Sequence, residues 1–178
     1  DRILEEAGAE GGNAFTSHDY TAYIQQLPKD KLELISKLEA DRMQNLVIDE
    51  KAFKTETEVV QNERRYRNEN NPAGMMYQTL FEKAFNVHPY RWPVIGYQKD
   101  LDSMTGADGL EFYNRYYAPD RAVIVVVGDV DADDVFSLTN KYFGKISRSV
   151  APTSLQDDYY DYEPEQRKAR YARLRLNI

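Results

Sequence analysis

The stretch "AVIVVVGDV", Ala122 to Val130, constrains the fold more than any other part of the chain. Its first six residues are apolar without interruption, and five of them are Val or Ile. A short, β-branched run with no polar alternation predicts a central strand buried on both faces. Such a strand needs flanking strands and covering helices, so the surrounding sequence must supply both.

It supplies mostly helices. Arg2 to Ala9 reads as the end of a helix stopped by "EGG". "NAFTS" and "YTAYIQQL" read as strands around a short turn at His18-Asp19, with Tyr20, Ala22 and Ile24 alternating against Thr21, Tyr23 and Gln25. Pro28 opens a helix running to about Leu46, with Leu32, Ile35, Leu38, Met43 and Leu46 on its apolar face. Asp49 caps the next helix, which runs to the stop "NENNP", and a further helix covers 73–85. "NVHPYRWPVIGYQ" reads as an ordered loop, and Thr105 with Asp108 forms a variant capping box before "GLEFYNRYY". Asp131 caps a last helix whose Val135, Leu138, Tyr142 and Phe143 face inward and which Gly144 ends. The expected class is α+β: a two-layer α/β sandwich, largely antiparallel in its sheet, with helices packed on one face. Residues 1–147 read as one domain, 148–166 as a linker, and 167–178 as the start of a following strand or domain.

Composition narrows the function. A net charge of -7 opposes non-specific nucleic-acid binding, which needs a basic field. The chain has no cysteine, so neither a disulfide framework nor a Cys-based metal site is available. No apolar run is long enough to span a membrane. Of the 14 tyrosines, Tyr113, Tyr116 and Tyr117 recur at helical spacing and read as core and rim, while "YYDY" reads as surface.

The helix after Asp49 poses a question. Residues 56, 59, 60 and 63 form one i, i+3, i+4, i+7 face, so Glu56 and Glu63 share a stripe with Val59 and Val60. On this phase Glu58, Arg64, Arg65 and Asn68 point elsewhere and are solvated. A buried, unpaired carboxylate is costly. Glu56 and Glu63 must therefore be near the surface, paired with Arg or Lys, or bound to a metal.

The succession "GGNAFTSHDYTAY", "LEADRMQNLVIDEKAFKTETEVVQNERR", "NNPAG", "HPYRWPVIGYQKDL", "FYNRYYAPDRAVIVVVGDV" and "KYFG" resembles the pitrilysin/insulinase family of zinc metallopeptidases, which includes the mitochondrial processing peptidase. The resemblance implies a half-unit of the processing-peptidase type and an endopeptidase acting on peptides or unfolded protein segments. In that family an HxxEH helix supplies two His ligands to zinc and a Glu as general base, and a later Glu completes the site. Glu63 matches that third ligand, and Glu56 matches the acidic residue that supports it two turns earlier. Asn13, Ala14, Phe15 and Thr16 match the edge strand on which substrate lies as an added antiparallel strand. The cofactor implied is zinc, and the partners implied are the peptide substrate and a second homologous half or partner subunit. No HxxEH occurs in the 178 residues, so the motif is expected just upstream of Asp1. His18 and His88 have no His or Glu at ligand spacing and read as turn and packing residues.

Two other readings share these residues. One is a non-catalytic scaffold or partner subunit of the same family; the other is a metal-free peptide-binding α/β module. The resemblance points to the bacterial periplasm or another extracytoplasmic space, although no targeting signal is visible.

Overall fold

The computed structural model describes residues 2–147 and 162–175. The chain divides into two units, one built from Asp1–Ile48 and Leu110–Ala151, the other from Asp49–Gly109 and Pro152–Ile178.

The first unit holds α1 (Arg2–Glu6), the hairpin of β1 (Glu10–Thr16) and β2 (Thr21–Gln26), α2 (Leu32–Asn45) and α7 (Ala132–Phe143). Ser17 N–H donates to Tyr20 O at 2.8 Å and closes the hairpin turn. The antiparallel register runs Thr16↔Thr21, Phe15↔Ala22, Ala14↔Tyr23 and Asn13↔Ile24. Beyond Asn13 the ladder shifts, and Gly11, at φ +61°, takes the left-handed conformation that such a bulge favours. Tyr23 ties the hairpin to the helices: its hydroxyl lies 2.8 Å from that of Tyr117, and Arg42 stacks on its ring at 4.8 Å. Burial and the bond to Tyr117 push the Tyr23 hydroxyl pKa well up, so it stays protonated. Tyr113 is buried and donates to Arg42 O at 2.7 Å. Glu33 on α2 accepts from Lys141 at 2.5 Å and from Tyr142 at 2.8 Å on α7. Ala40, Tyr113, Ala118 and Phe143 are buried in this unit.

The second unit holds α3 (Glu50–Arg64), a π-helical turn (Arg65–Glu69), α4 (Pro72–Ala84) and α5 (Gln98–Leu101); α6 (Gly106–Tyr116) begins in it and ends in the first. Asp49 caps α3 by accepting from Ala52 N–H at 2.8 Å, and Asn71 caps α4. Thr105 and Asp108 exchange the bonds of a capping box at the start of α6. The start of α4 crosses the π-turn at backbone contact: a Cβ on Gly74 would lie 2.1 Å from Arg67 O and 3.0 Å from Asn68 Cα.

The class is the expected α+β, and both strands of the hairpin, the five long helices α2, α3, α4, α6 and α7, and the caps Asp49, Thr105/Asp108 and Asp131 fall where the sequence puts them. One local expectation is corrected. Residues 122–127 form no helix and pair with no strand among the described residues, and Val123, Val125 and Val127 are 89%, 78% and 92% exposed. Ile124 and Val126, on the alternate positions, are less open at 45% and 37%. The run thus has the period-two pattern of a one-sided strand, because burial on both faces needs ladder neighbours that the described residues do not provide. Among the described residues the sheet is accordingly a single hairpin. In the tail, 167–175 form no strand. Most of the expected linker, 148–161, and the last residues, 176–178, lie outside the described residues.

Candidate active-site elements

On α3 the packing face is Phe53, Thr57, Val60, Gln61 and Arg64, all at least partly buried. Gln61 Nε2 donates to Asp102 Oδ1 at 3.1 Å, and Glu50 accepts from Gly106 N–H at 2.8 Å. Arg64 is 6% exposed, against the expectation of a solvated side chain. Its Nη1 donates to Gly96 O at 2.7 Å, and its Nε lies 3.5 Å from Glu69 Oε1, an ion-pair contact without a formed hydrogen bond. The buried stripe is therefore turned from the one read in the sequence, and Val59 is 54% exposed. Val59 and Val60 lie 100° apart on the helix, and here Val60 falls on the packing side while Val59 falls outside it.

Glu56 and Glu63 fall together on the neighbouring flank, two turns apart, as their spacing requires. Glu56 is exposed and has no ion pair or hydrogen bond among the described residues. Glu63 is half-buried, with its carboxylate 3.0 Å from Arg67 Nη1 one turn on. Of the alternatives open to these carboxylates, the structure realises surface placement for one and an arginine pair for the other.

These residues do not by themselves fit a zinc ion. A zinc site takes four donors, three of them from protein in catalytic centres. Among the described residues no three His, Asp or Glu side chains converge. The α3 flank offers Glu63 as one donor and Glu56 beside it. His88 is engaged otherwise: Nδ1 accepts from Tyr90 N–H at 3.1 Å, and the ring packs against Phe85 and Tyr90. His18 sits in the hairpin turn.

The second candidate element is β1. Asn13, Ala14, Phe15 and Thr16 are all exposed, and among the described residues β1 has β2 on one side only. Antiparallel pairs alternate between bonded and non-bonded. With Ser17 bonded to Tyr20, the alternation makes Phe15/Ala22 and Asn13/Ile24 the bonded pairs. Ala14 and Thr16 then turn their N–H and C=O groups to the open edge. In agreement, Ala14 N–H donates to the Asn13 side chain, Oδ1, at 2.9 Å instead of to β2. Asn13 and Phe15 share one sheet face, and Ala14 shares the other with Tyr23. Glu56 and Glu63 belong to one unit and Asn13 to Thr16 to the other.

Sequence reasoning missed Arg64 and the tail residue Glu163, whose carboxylate is held by three backbone amides. Arg64 was legible: it follows Phe53, Thr57 and Val60 at i+11, i+7 and i+4. No local pattern marked Glu163.

Comparison with known proteins gives the context. Residues 1–97 match the model for insulinase, peptidase family M16, and residues 103–176 match the model for the peptidase M16 inactive domain. The chain is 37% identical over 175 residues to zinc protease PqqE of Helicobacter pylori, spanning 97% of this chain and 38% of that protein. The crystal structure of a protease from Helicobacter pylori superposes with a TM-score of 0.85 at 36% identity, over 93% of this chain and 39% of that one. The first half of the periplasmic protease PqqL from Escherichia coli shares the fold, with a TM-score of 0.74 at 21% identity over 86% of this chain and 34% of that chain. The chain thus spans under half the length of the proteins it matches. No helix among the described residues is long and apolar enough to cross a membrane. With more than half its residues inside one family model and the fold shared throughout, the chain belongs to the insulinase family of peptidases, M16.

Proposed function

We propose that this chain is the part of a zinc-dependent endopeptidase that supplies one metal ligand and the strand that binds substrate. Glu63 is the ligand, Glu56 supports it, and the remaining ligands and the general base come from residues outside this chain. The observation that carries the reading is on α3. Two carboxylates are kept together on one flank, clear of the packing face, while the adjacent Arg64 is turned inward. Membership of a family whose relatives include proteins named zinc proteases gives that flank its chemistry.

The residues present have defined tasks. Glu63 offers an anionic oxygen donor on a rigid helix. The open edge of β1 binds an extended peptide by main-chain hydrogen bonds at Ala14 and Thr16, and strand addition accepts peptides or unfolded segments because it reads backbone first. The Asn13 side chain releases Ala14 N–H when the peptide carbonyl arrives. A second homologous half or a partner subunit completes the enzyme.

The test is a series in the full-length protein: Glu63→Gln, Glu56→Gln and Glu58→Gln, with zinc content and turnover measured with and without added zinc. Glu63→Gln removes an anionic ligand and loses both metal and activity. Glu56→Gln lowers affinity or rate by about 10- to 100-fold and is partly rescued by excess zinc, as for residues that orient a ligand. Glu58→Gln, exposed and off the flank, leaves zinc and turnover unchanged. Zinc retained in Glu63→Gln would remove the metal role.

A further inference from the structure

The tail of the chain returns to the second unit at one place. Glu163 Oε1 accepts from Asn86 N–H at 2.7 Å, and Oε2 accepts from Val87 and His88 N–H at 2.8 Å each. Seven residues on, Arg170 Nη1 donates to Lys83 O at 2.7 Å and to Ala84 O at 2.9 Å, the last carbonyls of α4. Each charge meets the backbone group it suits. Successive N–H groups form an anion-binding concavity, and a cation belongs at a helix C-terminus, where free carbonyls and the helix dipole are negative. Glu163, Pro164 and Arg170 are half-buried, whereas 165–169 are exposed, and among the described residues Glu165 pairs with Arg167 at 3.4 Å. Two ends are fastened and the middle is open, so charge-assisted hydrogen bonds hold the segment more than apolar burial does.

We propose that the C-terminal end of α4 with residues 86–88 is a receptor for a carboxylate and a guanidinium seven residues apart, and that Glu163 and Arg170 occupy it as a strap. The strap fastens the tail to the unit that carries Glu56 and Glu63, so the path of the chain after residue 170 is set from α4. The three amides, His88 first, then Asn86 and Val87, together with Arg170, hold the Glu163 carboxyl at about 2, against its ordinary 4.5. The strap is therefore charged and closed throughout the physiological range.

Hydrogen exchange of the full chain reads the lock directly. Asn86, Val87 and His88 amides exchange slowly in the wild type. In Glu163→Gln they exchange at least tenfold faster, tryptic cleavage after Arg167 and Lys168 rises, and the amides of Thr79 to Lys83 inside α4 keep their protection. Equal exchange at 86–88 in the two proteins overturns the proposal. Should Glu163→Gln also unfold α4, Arg170→Gln takes its place. It leaves the carboxylate in its cradle and is expected to raise cleavage after Lys168 with α4 intact; unchanged cleavage overturns the two-point strap.

Discussion

Glu63 and Arg64 are sequence neighbours in opposite surroundings. Glu63 keeps to the surface with Arg67, and Arg64 enters the second unit to bond Gly96 O. An exposed ion pair is worth little, whereas losing a buried charged donor from a part-buried carbonyl costs about 1–3 kcal/mol. Arg64→Met keeps the stem and removes the donors. Urea denaturation is expected to show a loss of about that size, with Arg64→Lys intermediate because lysine lacks the planar fork. Arg65→Met, on the exposed side, serves as reference and is expected to stay within about 0.5 kcal/mol of wild type. Equal stability of Arg64→Met and Arg65→Met would show that the buried guanidinium contributes nothing. At this scale the sequence was half legible. The seven-residue spacing fixed Glu56 and Glu63 to one flank whatever the phase. The phase itself was misread, because Val59 drew the stripe toward solvent and Arg64 was discounted as a charge.

At the scale of elements, the proposed substrate role of β1 separates from its folding role residue by residue. Ala14 directs its N–H to the open edge, while Phe15 is in a bonded pair with Ala22. Proline removes one donor and is tolerated best where that donor faces outward. Ala14→Pro in the full-length protein is expected to reduce peptide turnover at least tenfold while the melting temperature moves little. Phe15→Pro is expected to lower both, since it breaks the hairpin ladder. If Ala14→Pro cleaves peptides at the wild-type rate with a native melt, β1 is not the substrate strand. Helix caps and the hairpin were readable because their causes are local: Asp49, Asp131 and the Thr105/Asp108 pair act within three residues. The run at 122–127 was misjudged because its composition records what a strand can bury, and only its neighbours decide what it does bury.

For the whole molecule, the described residues bury few side chains fully, while Val123, Val125, Tyr66 and Met76 are widely exposed. The isolated 178-residue chain is expected to show no peptidase activity and to retain well under one zinc per chain after dialysis, because one ligand carboxylate cannot hold the ion. Metal analysis near one zinc per chain would overturn this. The α+β class was legible from the order of elements. The strap was not, since Glu163 meets its three amides across more than seventy residues of chain and no periodicity reports so distant a contact.

Gly74 carries a consequence in mutational terms. Every missense change in a glycine codon adds a Cβ, and here it would collide with the main chain of the π-turn, which no rotamer can relieve. Helix α4 would have to lift away from the turn that follows Glu63, carrying the end of α4 with it. Alleles of lost function arising by single base changes are thus expected to accumulate at a residue outside the proposed metal and peptide sites. A catalogue of such alleles would mark the crossing of α4 and the π-turn as clearly as it marks the carboxylates.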